Sequence, residues 1–366
     1  MIGEGLMKFL CQKTELEELG NEELLQICPE FGESIGKAFN SNNVISFTIE
    51  LGKHLQEMDL YKASLLTNFI GFVCEKEGDT SAGEGLIHFF ALACEKVYEL
   101  FQNLEQSENQ DEDGEYDEEQ ELDISQIYRK NSDQARAYCG FHILCVSAMA
   151  FLTRDASLRK MLADLELEEK ICYLTEETPQ SPYLKSITYV NSMLKTCSNQ
   201  KLLVLQPSRQ QGFYATVNDL NNCFHLLFLL EEQVVEKFGA KYGAEKFFAD
   251  ESLVRLAHGE YPQEAWEKSY STRFMECNYT TADHAAFKND DSMRMIWGEM
   301  PPDYIPAIDG YRVIVLLETT VRRSFDATFL FVPHIALKPY VRIERELTAK
   351  EYAAWMEKIA KQDGIC

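Results

Sequence analysis

Apolar residues recur at spacings of three and four as far as about residue 197, and beyond residue 200 that rhythm gives way to short apolar and β-branched runs. The first spacing stacks side chains on one face of a helix; the second belongs to strands. Leu51, Leu55 and Met58, then Leu65, Phe69, Phe72 and Val73, set the helical period across 15–104, and Gly, Asn and Asp punctuate it. These segments predict antiparallel helices. From Leu86 to Phe101 the apolar residues occupy most of the circumference, which predicts a helix enclosed by others, central in the bundle. Helical spacing resumes at Ile124, includes the apolar run Tyr138 to Leu152 and Leu162, Leu165 and Leu167, and breaks at Thr178 to Pro182.

The strand pattern opens with Lys201 to Leu205, a turn from Gln206 to Gly212, and Phe213 to Val217, a hairpin. Asn218, Asp219, Asn221 and Asn222 offer N-caps for a following helix whose core runs from Phe224 to Val235 and which stops before Gly239. Further helices are expected over 244–257 and 262–276, and a loop from Gly298 to Pro306. Tyr311 to Glu318 has the continuous apolar run of a central strand, whereas Thr328 to Arg345 reads as one or two strands broken at Pro333 and Pro339 and confined to an edge or bend. A capping box, Thr348 with Glu351, opens a last helix with Tyr352, Trp355, Met356 and Ile359 on one face. The expected fold is α+β: a mainly helical N-terminal bundle (1–104 and 124–200) interrupted by an acidic segment (105–123), with a smaller C-terminal part (201–366) holding a short, mostly antiparallel sheet.

The chain carries 60 acidic and 35 basic residues, a formal charge of −25. Such a charge repels phosphate backbones and anionic lipid surfaces, so nucleic acid and membrane are not expected partners. It steers a basic protein inward instead. Between Glu105 and Asp123 lie eleven carboxylates and no Lys or Arg, which predicts a disordered, solvated loop. Asp111, Asp113, Glu115 and Asp117 alternate as calcium ligands would, but the sixth place holds no Gly. The eleven cysteines are odd in number, and Cys74, Cys94, Cys139, Cys145 and Cys223 fall within apolar helical runs, the pattern of free thiols in a reducing cytoplasm. The first residues show no export signal, Ile2 does not fit myristoylation, and Cys366 has no residues after it for prenylation.

No catalytic constellation stands out. Cys139, His142 and Cys145, at spacings of three, form a loose row of zinc-type ligands, yet no fourth ligand lies nearby and a buried helix face has the same appearance. Cys223 and His225 sit near a helix start, where a thiol can be activated, but a spacing of two puts them on different faces. His54, His88, His258, His284 and His334 are scattered, and Asp283 is merely adjacent to His284. Gly83-Glu-Gly85 and Gly239 to Gly243 lack the strand and the Gly-Lys of a phosphate loop. Arg322 and Arg323 are the best polar site available, as a partner- or anion-binding pair at a strand end, with surface pairing to Glu318 and Asp326 as the plainer reading. No metal and no cofactor is expected.

Gly212-Phe213 after a Pro-containing turn, the Asn-rich cap into Cys223 to Leu230, Trp297-Gly298, Pro301 to Pro306, and Gly310 to Val315 follow in an order that resembles an uncharacterised group of bacterial proteins across residues 201–332. The chain departs from it at Cys223 and His225, where polar, amide-like residues are expected. The resemblance implies a bacterial cytoplasmic origin and no assigned activity. Three functions fit: a non-catalytic protein-binding protein, for instance an immunity-type protein that neutralises a basic toxin; an enzyme with a dispersed site at the C-terminal sheet, Arg322 and Arg323 included; or a helical scaffold.

Overall fold

The computed structural model describes residues 2–108, 122–176, 181–242, 246–271, 277–281, 296–318 and 324–362. The chain divides into two compact units, Met1–Leu194 and Lys195–Cys366. The division falls ahead of the first strand because Cys197 already exchanges backbone hydrogen bonds with Leu220 and Asp219 of the second unit.

The first unit is helical among the described residues: α1 (Glu4–Cys11), α2 (Pro29–Asn40), α3 (Val44–His54), α4 (Leu60–Glu77), α5 (Gly83–Glu108), α6 (Ile124–Lys130), α7 (Ser132–Leu152), α8 (Ala156–Asp164), α9 (Glu168–Glu176) and α10 (Ile187–Leu194). Their starts are written in short polar side chains. Asp59, Asp123, Asn131 and Asp155 each accept backbone N–H bonds at the first turn of α4, α6, α7 and α8, satisfying donors that a helix leaves unpaired. Helix α4 stops at Gly78, whose φ of +73° suits a residue without a Cβ.

The most enclosed helix is α7. By length and composition it could cross a membrane, but 89% of its most apolar window is buried inside this unit. It lies parallel to α4, as three contacts at one constant offset show: Ser64 meets Gly140, Gly71 meets Ser147, and Cys74 Sγ donates to the Ala150 carbonyl at 3.3 Å. The small residues recur seven apart on both helices, which keeps the seam facing its partner and lets the backbones approach closely. A Cβ on Gly140 would stand 2.5 Å from that of Ser64. On another side Phe90 of α5 stacks on Phe141 at 5.8 Å, so the enclosed run from Leu86 to Phe101 is core as expected. A buried polar knot ties the N-terminal segment to this bundle. Asp59 accepts from Thr14 and pairs with Arg136 at 3.2 Å, while Lys62 donates to the carbonyls of Phe9 and Gln12 at the end of α1. Helix α5 continues through residue 108 where a loop was expected from 105; Gln102 and Tyr173 both bond to Glu105 and extend it. The rest of the acidic segment, 109–121, lies outside the described residues, and Asp111, Asp113, Glu115 and Asp117 with it.

The second unit contains β1 (Gln200–Gln206), β2 (Gln211–Asn218), α11 (Cys223–Phe238), α12 (Glu251–Ala257), β3 (Ser269–Ser271), β4 (Cys277–Thr281), β5 (Ala307–Ile308), β6 (Tyr311–Glu318), β7 (Ser324–Asp326), β8 (Tyr340–Glu346) and α13 (Ala349–Gln362). The sheet order is β4-β6-β1-β2-β8, with β5 also on β6, and β3 pairs with β7 apart from it. Among the described strands only β1 and β6 run parallel; the other pairs are antiparallel. Leu202, Val204, Phe213, Ala215, Val217 and Ile314 pack toward α11 and α12. Leu203, Leu205, Val313 and Val315 pack on the other face against Tyr352, Trp355 and Ile359 of α13. Being covered on both faces explains why β1 and β6 read as continuous apolar runs. The capping box of α13 is formed: Thr348 N and Glu351 N each find the other's side chain.

Three expectations are met only in part or not at all. The helix over 244–257 shrinks to α12. Of the helix expected over 262–276, the described part, 262–271, is not helical; a single 3-10 turn at Gln263–Ala265 leads into β3, because Ser269–Ser271 pairs with Ser324–Asp326 and that pairing overrides a helical spacing of Trp266 and Tyr270. Across 328–345 one of the one or two expected strands is present: after a 3-10 turn at Ala327–Leu330 and an irregular, Pro-bounded loop, β8 begins at Tyr340 as an edge strand.

Candidate functional site

Helix α12 is only two turns long, yet its end is fully wired. Gly259, at φ +85°, occupies the left-handed position after the helix; its N–H donates to Leu256 O at 2.9 Å, and Glu260 N donates to Arg255 O at 3.0 Å. This is the Schellman closure, and it satisfies carbonyls that the helix would otherwise strand. The next carbonyl, Ala257 O, accepts from Nε2 of buried His225 on α11 at 2.7 Å. Nδ1 of that imidazole is buried with no hydrogen bond, and burial pushes the ring's pKa down to about 4, so it stays neutral. His225 and Cys223, weighed above as a thiol–imidazole site, are both buried, and the imidazole is a strut between two helices.

The turn so fixed projects Tyr261, and after the three-residue 3-10 turn Gln263–Ala265 Trp266 follows. Both rest on Phe331 from the loop before β8, with ring centroids 5.8 Å and 5.6 Å apart, and Tyr261 Oη donates to Val332 O. Trp266 is 41% exposed and Tyr261 36%; the same loop carries Ile335, also exposed. The aromatic rings thus form an outward platform on a rigid base. Its surroundings are acidic: residues 250–268 hold five carboxylates, Asp250, Glu251, Glu260, Glu264 and Glu267, against Arg255 and Lys268. Arg255 lies between Glu260 at 2.6 Å and Glu264 at 3.6 Å. His258 is hydrogen-bonded to Glu232 at 2.8 Å, which holds its pKa above the ordinary imidazole value. Exposed aromatic anchors with a charged rim are what protein–protein hot spots are made of.

Trp266 and Tyr261 were not singled out by sequence. The available signal was the cluster of helix breakers, Gly259 and Pro262, around two aromatics in a charged stretch, which argues for a turn that presents rings rather than a helix that buries them. Arg322 and Arg323 lie outside the described residues, as do Asp283, His284 and Gly243. Cys139 and Cys145 are buried in α7; burial pushes the first thiol up to about 12 and the second well above its ordinary value. His142 turns toward Glu22 at 3.4 Å instead. The three side chains therefore serve the packing of α7, and no group of three potential ligands occurs among the described residues. Gly85 lets α5 press on α3, where it abuts the Gly52 carbonyl, and Gly83 makes room for Phe151 of α7 and Leu158 of α8. A cavity of about 360 Å³ beside them is lined by Lys53, Gln56, Ser81, Glu84 and His88.

One further polar pair escaped the sequence. Glu231 of α11 is fully buried and accepts from Tyr270 of β3 at 2.6 Å. Around it Phe228, Phe247 and Phe325 meet the Tyr270 ring. The bond anchors the small β3–β7 ribbon to the central helix of this unit, next to the aromatic platform in sequence. No protein-family model, no curated protein and no solved structure matches the chain.

Proposed function

We propose that this is a non-catalytic binding protein whose partner is a basic protein, in the manner of a bacterial immunity-type protein that occludes a cationic toxin in a reducing cytoplasm. The observation that carries the reading is the Tyr261–Trp266–Phe331 platform inside an acidic rim on a chain of charge −25. The net charge raises the encounter rate with a cation over long range, and the exposed rings supply desolvation energy at contact. Cysteines that are free, nine of them among the described residues and mostly buried, support the reducing compartment. Neither an active-site constellation nor a cofactor is required for this role. The test is capture of partners from the source cell on the immobilised chain, followed by identification. The reading expects a recovered partner with a strongly positive net charge that forms a stoichiometric complex; recovery of only acidic or neutral partners contradicts it.

A further inference from the structure

We infer that the residue which the partner seats on this platform is an arginine, its guanidinium laid over the exposed face of Trp266 and paired with the carboxylates beside it. This rests on the basic-partner reading above and specifies its chemistry. Trp266 packs against Phe331 at 5.6 Å, the rings tilted by 52°, which restrains its ring while leaving it 41% exposed. Its neighbours in the turn are Glu264 and Glu267, and Glu267 has no ion pair among the described residues. Glu264 faces outward at 61% side-chain exposure, with only a 3.6 Å approach from Arg255.

The chain itself demonstrates the geometry. Arg255 lies between Glu260 and Glu264, so the carboxylates of this turn are spaced to take a guanidinium fork from the side. A second guanidinium arriving over Trp266 enters the same acidic turn, where Glu264 and Glu267 are both exposed. Arginine suits such a site better than lysine, because its plane stacks on an indole while its edge still donates to carboxylates, and it gives up its hydration more readily. Tyr261, 36% exposed, extends the apolar floor on which the arginine's methylene stem and its neighbours lie.

The experiment uses the full chain and three synthetic peptides of equal length, an Arg-Gly repeat, a Lys-Gly repeat and a Glu-Gly repeat, titrated at low salt by calorimetry. The Arg-Gly peptide should bind several-fold more tightly than the Lys-Gly peptide, and the Glu-Gly peptide not at all. Trp266→Ala should weaken the Arg-Gly peptide about tenfold. Glu267→Lys, a surface change that leaves the ring in place, should weaken it by several-fold, and it carries the test if Trp266→Ala lowers the melting temperature. Unchanged binding in both variants overturns the platform as the docking surface while leaving a basic partner standing. Equal affinity for the Lys-Gly and Arg-Gly peptides removes the arginine assignment, and failure of both cationic peptides to bind overturns this inference, leaving the basic-partner reading to the capture experiment.

Discussion

His225 shows how one side chain links burial, helix wiring and pH. Its neutral ring donates to Ala257 O and holds a pKa of about 4, whereas in the unfolded chain it takes up a proton below about pH 6.5. Between those two values the unfolded state binds more protons than the folded one. Its contribution to stability is therefore complete above about pH 6.5 and is lost as pH falls toward 4, by about 3 kcal/mol over the window. Urea midpoints at pH 7 and pH 4.5 should differ less in His225→Gln than in the parent chain; an identical acid loss in both would mean that the imidazole is not the titrating group. The sequence put His225 near a helix start and could go no further, because its partner is a carbonyl 32 residues away. Trp266 was hidden for a similar reason: it rests on Phe331, far along the chain, and it follows a 3-10 turn at Gln263–Ala265 where local spacing indicates a helix.

Among elements, the turn after α12 bears the functional reading. Gly259→Ala places a Cβ on a left-handed residue, at a cost of about 1–2 kcal/mol, and should also loosen Tyr261 from Val332. Chemical denaturation measures the first effect, and peptide affinity the second; a variant as stable as the parent would show that the Schellman closure does not hold the platform. Elements whose signals are local were legible. The β1–β2 hairpin, α11 with its Asn222 cap, β6 and the boxed α13 all stand where spacing and turn chemistry put them. The elements missed, β3, β4, β5 and β7, are two to five residues long, and all but β5 are defined by distant partners, so nothing within them announces a strand. The parallel seam of α4 and α7 was equally silent: Ser64, Gly71, Gly140 and Ser147 look like unremarkable small residues until two helices separated by more than 50 residues are laid side by side.

At the scale of the molecule, two units with different periodicities carry the excess of carboxylates unequally: the first unit holds 36 acidic and 15 basic residues, the second 24 and 20. The α+β architecture with a mainly helical first unit was readable from the change of spacing near residue 200, whereas the candidate site was not, since the sequence directed attention to Arg322 and Arg323 rather than to an aromatic turn. The account rests on charge drawing the partner in and aromatic contact retaining it, and these act on different rates. Steering operates during diffusion and is screened over a Debye length of about 10 Å at 0.1 M salt, whereas contacts formed after docking are screened far less. The decisive measurement is the association and dissociation rate of the captured partner at several ionic strengths. The expected result is an association rate that falls by an order of magnitude or more between low salt and about 0.5 M while dissociation changes little; an association rate indifferent to salt would contradict the account.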